Sequence, residues 1–203
     1  MGLTEVQGHI LAIDPGSRKL GWAIVADGPR RVDSGVLKLA ERLPLNDRLG
    51  QILTALQALF EKFAPAQLAI ESAFVHDNAH TALVLGQTRG LPIAIAAARG
   101  LPIYEYTPAV VKKRIAGSGR AEKGQMREMI RLQLKLAQLP GEDEADALAV
   151  GLTHYFETRW LGVAVALPRD GTAPVPAILT PAQQTYLAAL QVAKRQKSVK
   201  RAK

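Results

Sequence analysis

Near Pro44 the apolar residues change their period, and this restricts the fold more than any other feature of the sequence. Upstream, strand-like runs at residues 9–13, 21–25 and 31–39 are separated by Gly, Pro and Asp, with connections short enough for an antiparallel meander. Downstream, Leu49, Ile52, Leu53, Leu56, Phe60 and Phe63 recur at three- and four-residue steps, the spacing of one helix face, and Pro65 closes that helix. Residues 67–70 then read as a buried strand, residues 79–98 as a helix with a kink at Pro92, and residues 102–106 as another strand. Helices are expected at 110–115, 123–137 and 145–160. Strands joined by helical crossovers run parallel. The order βββαβαβ followed by helices therefore predicts an α/β fold: a mixed five-stranded sheet, three antiparallel strands then two parallel ones, flanked by helices.

With 203 residues, 48% of them hydrophobic, the chain can build one ordinary domain and a modest appendage. The expected division is a domain over residues 1–160 and an extension over 161–203. In that extension a Gly/Pro-rich linker runs to about Pro176, and a helix begins at Thr180-Pro181-Ala182-Gln183 with a capping-box start. A net charge of +8 favours a polyanionic partner, nucleic acid or an acidic membrane surface. Six of the surplus charges, Lys194, Arg195, Lys197, Lys200, Arg201 and Lys203, sit in the last ten residues, so the body is nearly neutral. The absence of cysteine excludes disulfides and thiolate metal sites, zinc ribbons among them. Residues 1–7 hold Glu5 and no apolar run, and the apolar stretch around 91–98 is far short of a membrane span. A soluble cytoplasmic protein is expected.

Three acidic elements stand out against this frame. Asp14 ends the apolar run Ile10-Leu11-Ala12-Ile13, and Glu71 ends Leu68-Ala69-Ile70. Carboxylates are depleted in strands and costly to bury unless paired or metal-bound. The ordinary alternatives are a turn-starting Asp, which Pro15-Gly16 supports, and a Glu at an exposed strand end. In Glu142-Asp143-Glu144-Ala145-Asp146, the two aspartates stand three apart and share a side of the last helix. Ala145, Leu148, Leu152 and Phe156 form an apolar stripe turned away from them. Acids in a first helical turn also suit the helix dipole, and Asp143 can serve as N-cap.

Adjacent parallel strands would bring Asp14 and Glu71 side by side at one sheet edge, where a helix end can join them. Like charges held that close raise one another's pKa and destabilise the fold unless a cation occupies the site. Hard divalent ions with oxygen ligands suit such a cluster, and two of them can drive phosphodiester hydrolysis.

In sequence order, Ile13-Asp14-Pro15-Gly16-Ser17-Arg18, Ala69-Ile70-Glu71 with Phe74, Leu85-Gly86-Gln87-Thr88-Arg89-Gly90, Ala121-Glu122-Lys123 and Glu142 through Ala149 resemble the RuvC-type Holliday-junction resolvases. The resemblance covers residues 10–156. It implies an RNase H-like fold, a homodimer with two active sites, two magnesium ions per site with manganese as a substitute, and paired symmetric nicks across four-way junction DNA in recombination and repair. It also implies work beside a branch-migration helicase complex. Its four acids fall on Asp14, Glu71, Asp143 and Asp146; some relatives place His where Asp143 stands, so three acids are the minimum expectation.

The resemblance further makes Phe74 a base-stacking aromatic, with core packing as the alternative. Lys112 and Lys123 become backbone contacts, with ordinary solvated lysines as the alternative. Arg18 and Arg120 are additional DNA-contact candidates, and the helix with Leu83, Leu85 and Arg89 is the candidate dimer interface. His76, Asp77 and His80 lie where resolvases vary, and they leave the preferred cleavage sequence open. Gly117-Ser118-Gly119-Arg120 fails the P-loop pattern, since no Gly-Lys-Ser/Thr follows.

Two rival classes remain at this level. Asp14-Pro15-Gly16-Ser17 with Gly21 also resembles the phosphate loop of actin-like sugar kinases, but that fold usually carries a duplicated second domain for which 203 residues leave no room. A non-catalytic nucleic-acid binder would fit the basic charge, but gains nothing from gathering acids where phosphates must lie.

Overall fold

The computed structural model describes residues 8–26, 28–39, 42–72, 79–118 and 120–161. Phe74, His76, Asp77, the linker, the helix expected from Thr180 and the basic tail lie outside the described residues.

Three strands, β1 (Ile10–Pro15), β2 (Lys19–Ala26) and β3 (Arg30–Lys38), form the expected antiparallel meander. Helix α1 (Leu45–Phe63) leads to strand β4 (Gln67–Glu71), and helix α2 (Ala79–Ala98) leads to strand β5 (Ile103–Tyr106). Helices α3 (Pro108–Ala116), α4 (Lys123–Gln133) and α5 (Glu142–Leu161) complete the described chain. The sheet order is β3-β2-β1-β4-β5, with β4 parallel to both β1 and β5. The helical crossovers produce that parallel half, as the period change predicts.

Successive side chains on a strand face opposite ways, and this alternation sorts the core into two layers. Leu11, Ile13, Leu20, Ile24, Leu68 and Ile70 pack with Ile52, Leu56 and Phe60 of α1. Ile10, Ala12, Ala23, Val25 and Ala69 face α5 and the α3–α4 pair. The α5 side of the sheet is lined by alanines, which lets that helix lie close. Its residues from Ala147 to Tyr155 are all buried, because α3 and α4 cover the side turned away from the sheet. The apolar stripe expected from Ala145, Leu148, Leu152 and Phe156 is thus too narrow. A helix apolar on nearly all sides is a buried helix.

One boundary also differs. Helix α4 stops at Gln133 rather than near Ala137, because Lys135 takes a left-handed conformation at φ 52° and the Leu136 N–H turns back to the Arg131 carbonyl. Helix α2 runs unbroken through Pro92. It is long and apolar enough, by length and composition alone, to cross a membrane, which the shorter 91–98 stretch does not suggest. In this fold its Val84, Thr88, Pro92 and Ala96 recur every fourth residue and are buried, and the helix packs on α1 and the sheet.

Candidate active site

Strand alternation decides where the first two acids point. Asp14 follows Ala12 by two residues and Glu71 follows Ala69 by two, so both continue the α5-facing row. The β1–β4 register pairs Ala12 with Ala69 and Ile13 with Ile70, and the next step along both strands sets Asp14 beside Glu71. The pair lies at the carboxyl ends of two inner strands of the sheet rather than at a sheet edge, with β2 and β5 outside them. Helices shield such a position from water in a way an edge would not allow.

Helix α5 brings the other two acids. In the β1–β2 register Gly21 stands opposite Asp14. A Cβ on Gly21 would come within 2.1 Å of the Asp143 carbonyl oxygen and 3.3 Å of the Ala147 methyl. Only glycine lets the helix start come down onto β2 there. Glu144 holds the same turn from the other side: one carboxylate oxygen accepts from Ser34 Oγ at 2.5 Å and from Arg31 at 3.2 Å, and the other accepts from the Gly141 N–H at 3.3 Å. The first turn of α5 is therefore tied to the edge strand β3.

The four acids feel one another. Burial raises the pKa of Asp14 to about 7, with repulsion from Asp146 and Asp143 adding to it; a hydrogen bond from Glu71 and the charge of Lys123 oppose the rise. Burial raises Glu71 to about 8, reinforced by the charges of Asp14 and Asp146 and by the hydrogen bond to Asp14, and opposed by Lys112. Asp146 is also raised, first by burial. Burial and neighbouring negative charge thus favour the neutral forms of this pair near neutral pH. The turning away of Asp143 and Asp146 from the core holds only in part, since both are half-buried against the strand ends.

Asp143 is placed differently: its carboxylate takes the Lys19 ammonium at 3.0 Å. Glu142 pairs with Lys123 at 3.4 Å. Among the described residues no three acid or imidazole groups already form a ready-made ligand shell. The donor set nevertheless fits a hard divalent cation. It consists of carboxylate oxygens only, and the pKa values, raised first by burial and then by mutual repulsion, show a site that Lys112 and Lys123 do not fully balance.

The basic candidates fall in two groups. Lys112 on α3 and Lys123 at the start of α4 both act electrostatically on the acid cluster, which places them at its rim. Arg18 is exposed in the β1–β2 connection, where its carbonyl accepts from the Leu39 N–H at 3.0 Å, and Arg120 is exposed between α3 and α4. On α2, Leu83 is 60% exposed and Leu85 half-buried. Arg89 instead engages Glu105 of β5 within the chain.

Sequence reasoning missed two features. One is Lys19, whose signal was only its place at the start of the strand returning past Asp14. The other is a buried polar row behind Glu71. His154 of α5 is fully buried; its Nδ1 accepts from the Tyr106 hydroxyl at 2.7 Å, and its Nε2 donates to Gln67 Oε1 at 2.8 Å. Burial lowers the His154 pKa to about 4, so the ring stays neutral and fully bonded. Tyr106 is the register partner of Glu71, and its carbonyl accepts from the Ser72 N–H at 2.8 Å. A histidine in the mostly apolar run from Ala147 to Phe156 was the available signal.

Comparison with known proteins gives a consistent picture. The family model described as crossover junction endodeoxyribonuclease RuvC matches residues 10–154. A crossover junction endodeoxyribonuclease RuvC from Halorhodospira halophila is 48% identical over 148 residues, covering 72% of this chain and 89% of the relative. The solved Thermus thermophilus RuvC structure superposes with a TM-score of 0.68 at 33% identity, covering 75% of this chain and 96% of that one. T. thermophilus RuvC in complex with its Holliday junction substrate superposes with a TM-score of 0.70 at the same identity and coverage.

Proposed function

The chain belongs to the RuvC family of crossover junction endodeoxyribonucleases, and from that premise we propose that it resolves four-way DNA junctions by paired symmetric nicks in recombination and repair. The observation that carries the reading is the gathering of Asp14, Glu71 and Asp146 where two inner strands end beneath the start of α5. Asp14, Glu71, Asp143 and Asp146 would hold magnesium, two ions per site, with manganese as a substitute. When bound, the metal supplies an activated water and a counter-charge for the leaving oxygen, giving 5′-phosphate and 3′-hydroxyl ends.

The chain's own residues do the rest. Asp14 and Glu71, whose neutral forms burial favours, would lose any bound proton to water where a cation balances their charge, and Gly21 and Glu144 keep the α5 acids within reach of the strand-end pair. Lys112 and Lys123, at the cluster's rim, are suited to hold backbone phosphates on either side of the scissile bond. Phe74, shortly after Glu71 in sequence, is proposed to stack on a base opened at the crossover. The extension over 161–203 adds a basic arm to the nuclease domain and supplies affinity without chemistry.

A junction presents two strands of like polarity, and one acidic cluster per chain serves one of them, so paired incision calls for a two-fold dimer. Exposed Leu83 on α2 favours that helix as its interface. A branch-migration helicase complex and a cytoplasmic location complete the proposal. The test is cleavage, with magnesium, of a four-way junction beside a linear duplex of the same sequence. Symmetric nicks in the junction alone are expected, together with their loss in Asp14→Asn. Equal cutting of the duplex, or full activity of the variant, overturns the reading.

A further inference from the structure

Lys19 is held at the acid cluster by its backbone rather than by a chance reach of its side chain. A Cβ on Gly16 would stand 2.3 Å from the Lys19 carbonyl oxygen, so the β1–β2 connection closes tightly on Lys19 from the side of Asp14. Two residues after Lys19, Gly21 lies directly against the Asp143 backbone, where a Cβ would come within 2.1 Å of the carbonyl oxygen. These two close approaches fix the start of β2 against the start of α5. The Lys19 ammonium then meets the Asp143 carboxylate at 3.0 Å.

The pair is open to water, with the lysine side chain 53% and the aspartate 38% exposed. Exposed ion pairs of this kind are weak and exchange readily. Among the described residues, Asp143 is also the one of the four acids in a direct ion pair with a lysine. Lys123 and Lys112 act on the cluster from α4 and α3, whereas Lys19 approaches from the β1–β2 side. The cluster therefore has a cation on its β1–β2 flank as well, where Arg18 also lies.

We propose that Lys19 is the resident counter-cation of Asp143, that a divalent cation entering the site displaces it, and that the released ammonium then takes a phosphate of the bound DNA. The proposal rests on the metal-site reading of Asp14, Glu71, Asp143 and Asp146 given above. It makes phosphate contact at Lys19 conditional on the metal, which a permanently free surface lysine would not do.

Two measurements on the full chain test it. Titration with manganese alone should show binding by the wild type that Asp14→Asn loses. Lys19→Met, which removes an exposed competing cation, should bind manganese about 3- to 5-fold more tightly. Absence of wild-type binding, or equal binding by Asp14→Asn, would mean that the metal-site reading fails and takes this proposal with it. Unaltered manganese affinity in Lys19→Met, with that site intact, overturns the Lys19 proposal alone.

The second measurement is the salt dependence of junction binding in calcium and in EDTA, for wild type, Lys19→Met and Lys19→Arg. Each duplex phosphate neutralised steepens the fall of log K with log salt by roughly 0.9. Lys19→Met should therefore be flatter than wild type by about that amount in calcium, and by less than half of it in EDTA. Lys19→Arg should restore the wild-type slope. A slope difference equal in both conditions, or absent from both, overturns the proposal.

Discussion

The two halves of the acid cluster answer the same electrostatic problem in different ways. At the strand ends, Asp14 and Glu71 are half-buried beneath α5, and desolvation there favours their neutral forms. In the first turn of α5, Asp143 and Glu142 lie nearer solvent and are relieved by Lys19 and Lys123. The difference teaches where the cost of assembling the site resides. Removing water from a carboxylate without a partner disfavours its charged form, whereas an exposed carboxylate is screened and readily paired. The strand-end pair therefore stores a demand for positive charge that the helix turn does not.

The largest effect that would break this contrast is on cleavage. Asp14→Asn or Glu71→Gln should reduce junction cutting by roughly 10³-fold or more, since each removes a buried charge that metal-assisted hydrolysis needs. Asp143→Asn should lose less, about 10- to 100-fold, because the buried acids remain. Single-turnover rates would settle the order, and an Asp143 variant as dead as the Asp14 variant would erase the distinction.

The next effect is on stability without metal. The folded-state pKa values of Asp14 and Glu71 are raised to about 7 and about 8, so the folded protein prefers their neutral forms. Their favourable contribution is complete below the unfolded carboxylate range near pH 4 and is lost as pH rises through about 7 to 8. In EDTA, the melting temperature should therefore fall between pH 5 and about 8, and magnesium should restore it. At pH 8, Asp14→Asn should be more stable than wild type by on the order of 2–4 kcal/mol. A variant that melts lower than wild type at that pH contradicts the burial argument.

Smaller changes sharpen the comparison. Gly21→Ala puts a methyl against the Asp143 carbonyl, so it should cost about 1–3 kcal/mol and lower cleavage beyond that loss by shifting α5. Denaturant melts paired with single-turnover rates would separate the two parts. Smallest of all, Glu142→Gln breaks an exposed pair with Lys123 and should change stability by no more than about 0.5 kcal/mol. A larger loss would show that the helix-turn acids are not the screened half of the site.

Much of this was legible in the residues themselves. The change of period at Pro44 located the meander and the crossover strands, and alternation along Ile10–Pro15 and Gln67–Glu71 placed both acids on one face. The width of the α5 contact was not legible, because a stripe counted along one helix ignores what α3 and α4 later lay over its back. Nor was the end of α4, where Lys135 adopts a left-handed conformation without a glycine to announce it. Arg89 read as a surface residue of a candidate interface, and the fold instead engages it with Glu105 across the helix–sheet junction.

By itself, the sequence determined the element order and the parallel pairing of the acid-bearing strands, and it offered the four carboxylates as candidates. These depend on local periodicity and on the carboxylate chemistry that each residue carries wherever it stands. The tertiary structure alone decided that burial raises the pKa of Asp14 and Glu71 together, that Asp143 is met by Lys19, and that His154 is locked between Tyr106 and Gln67. Such pairings join residues tens of positions apart, and their strength is set by how much water the packed helices exclude, a quantity that no single stretch of chain contains.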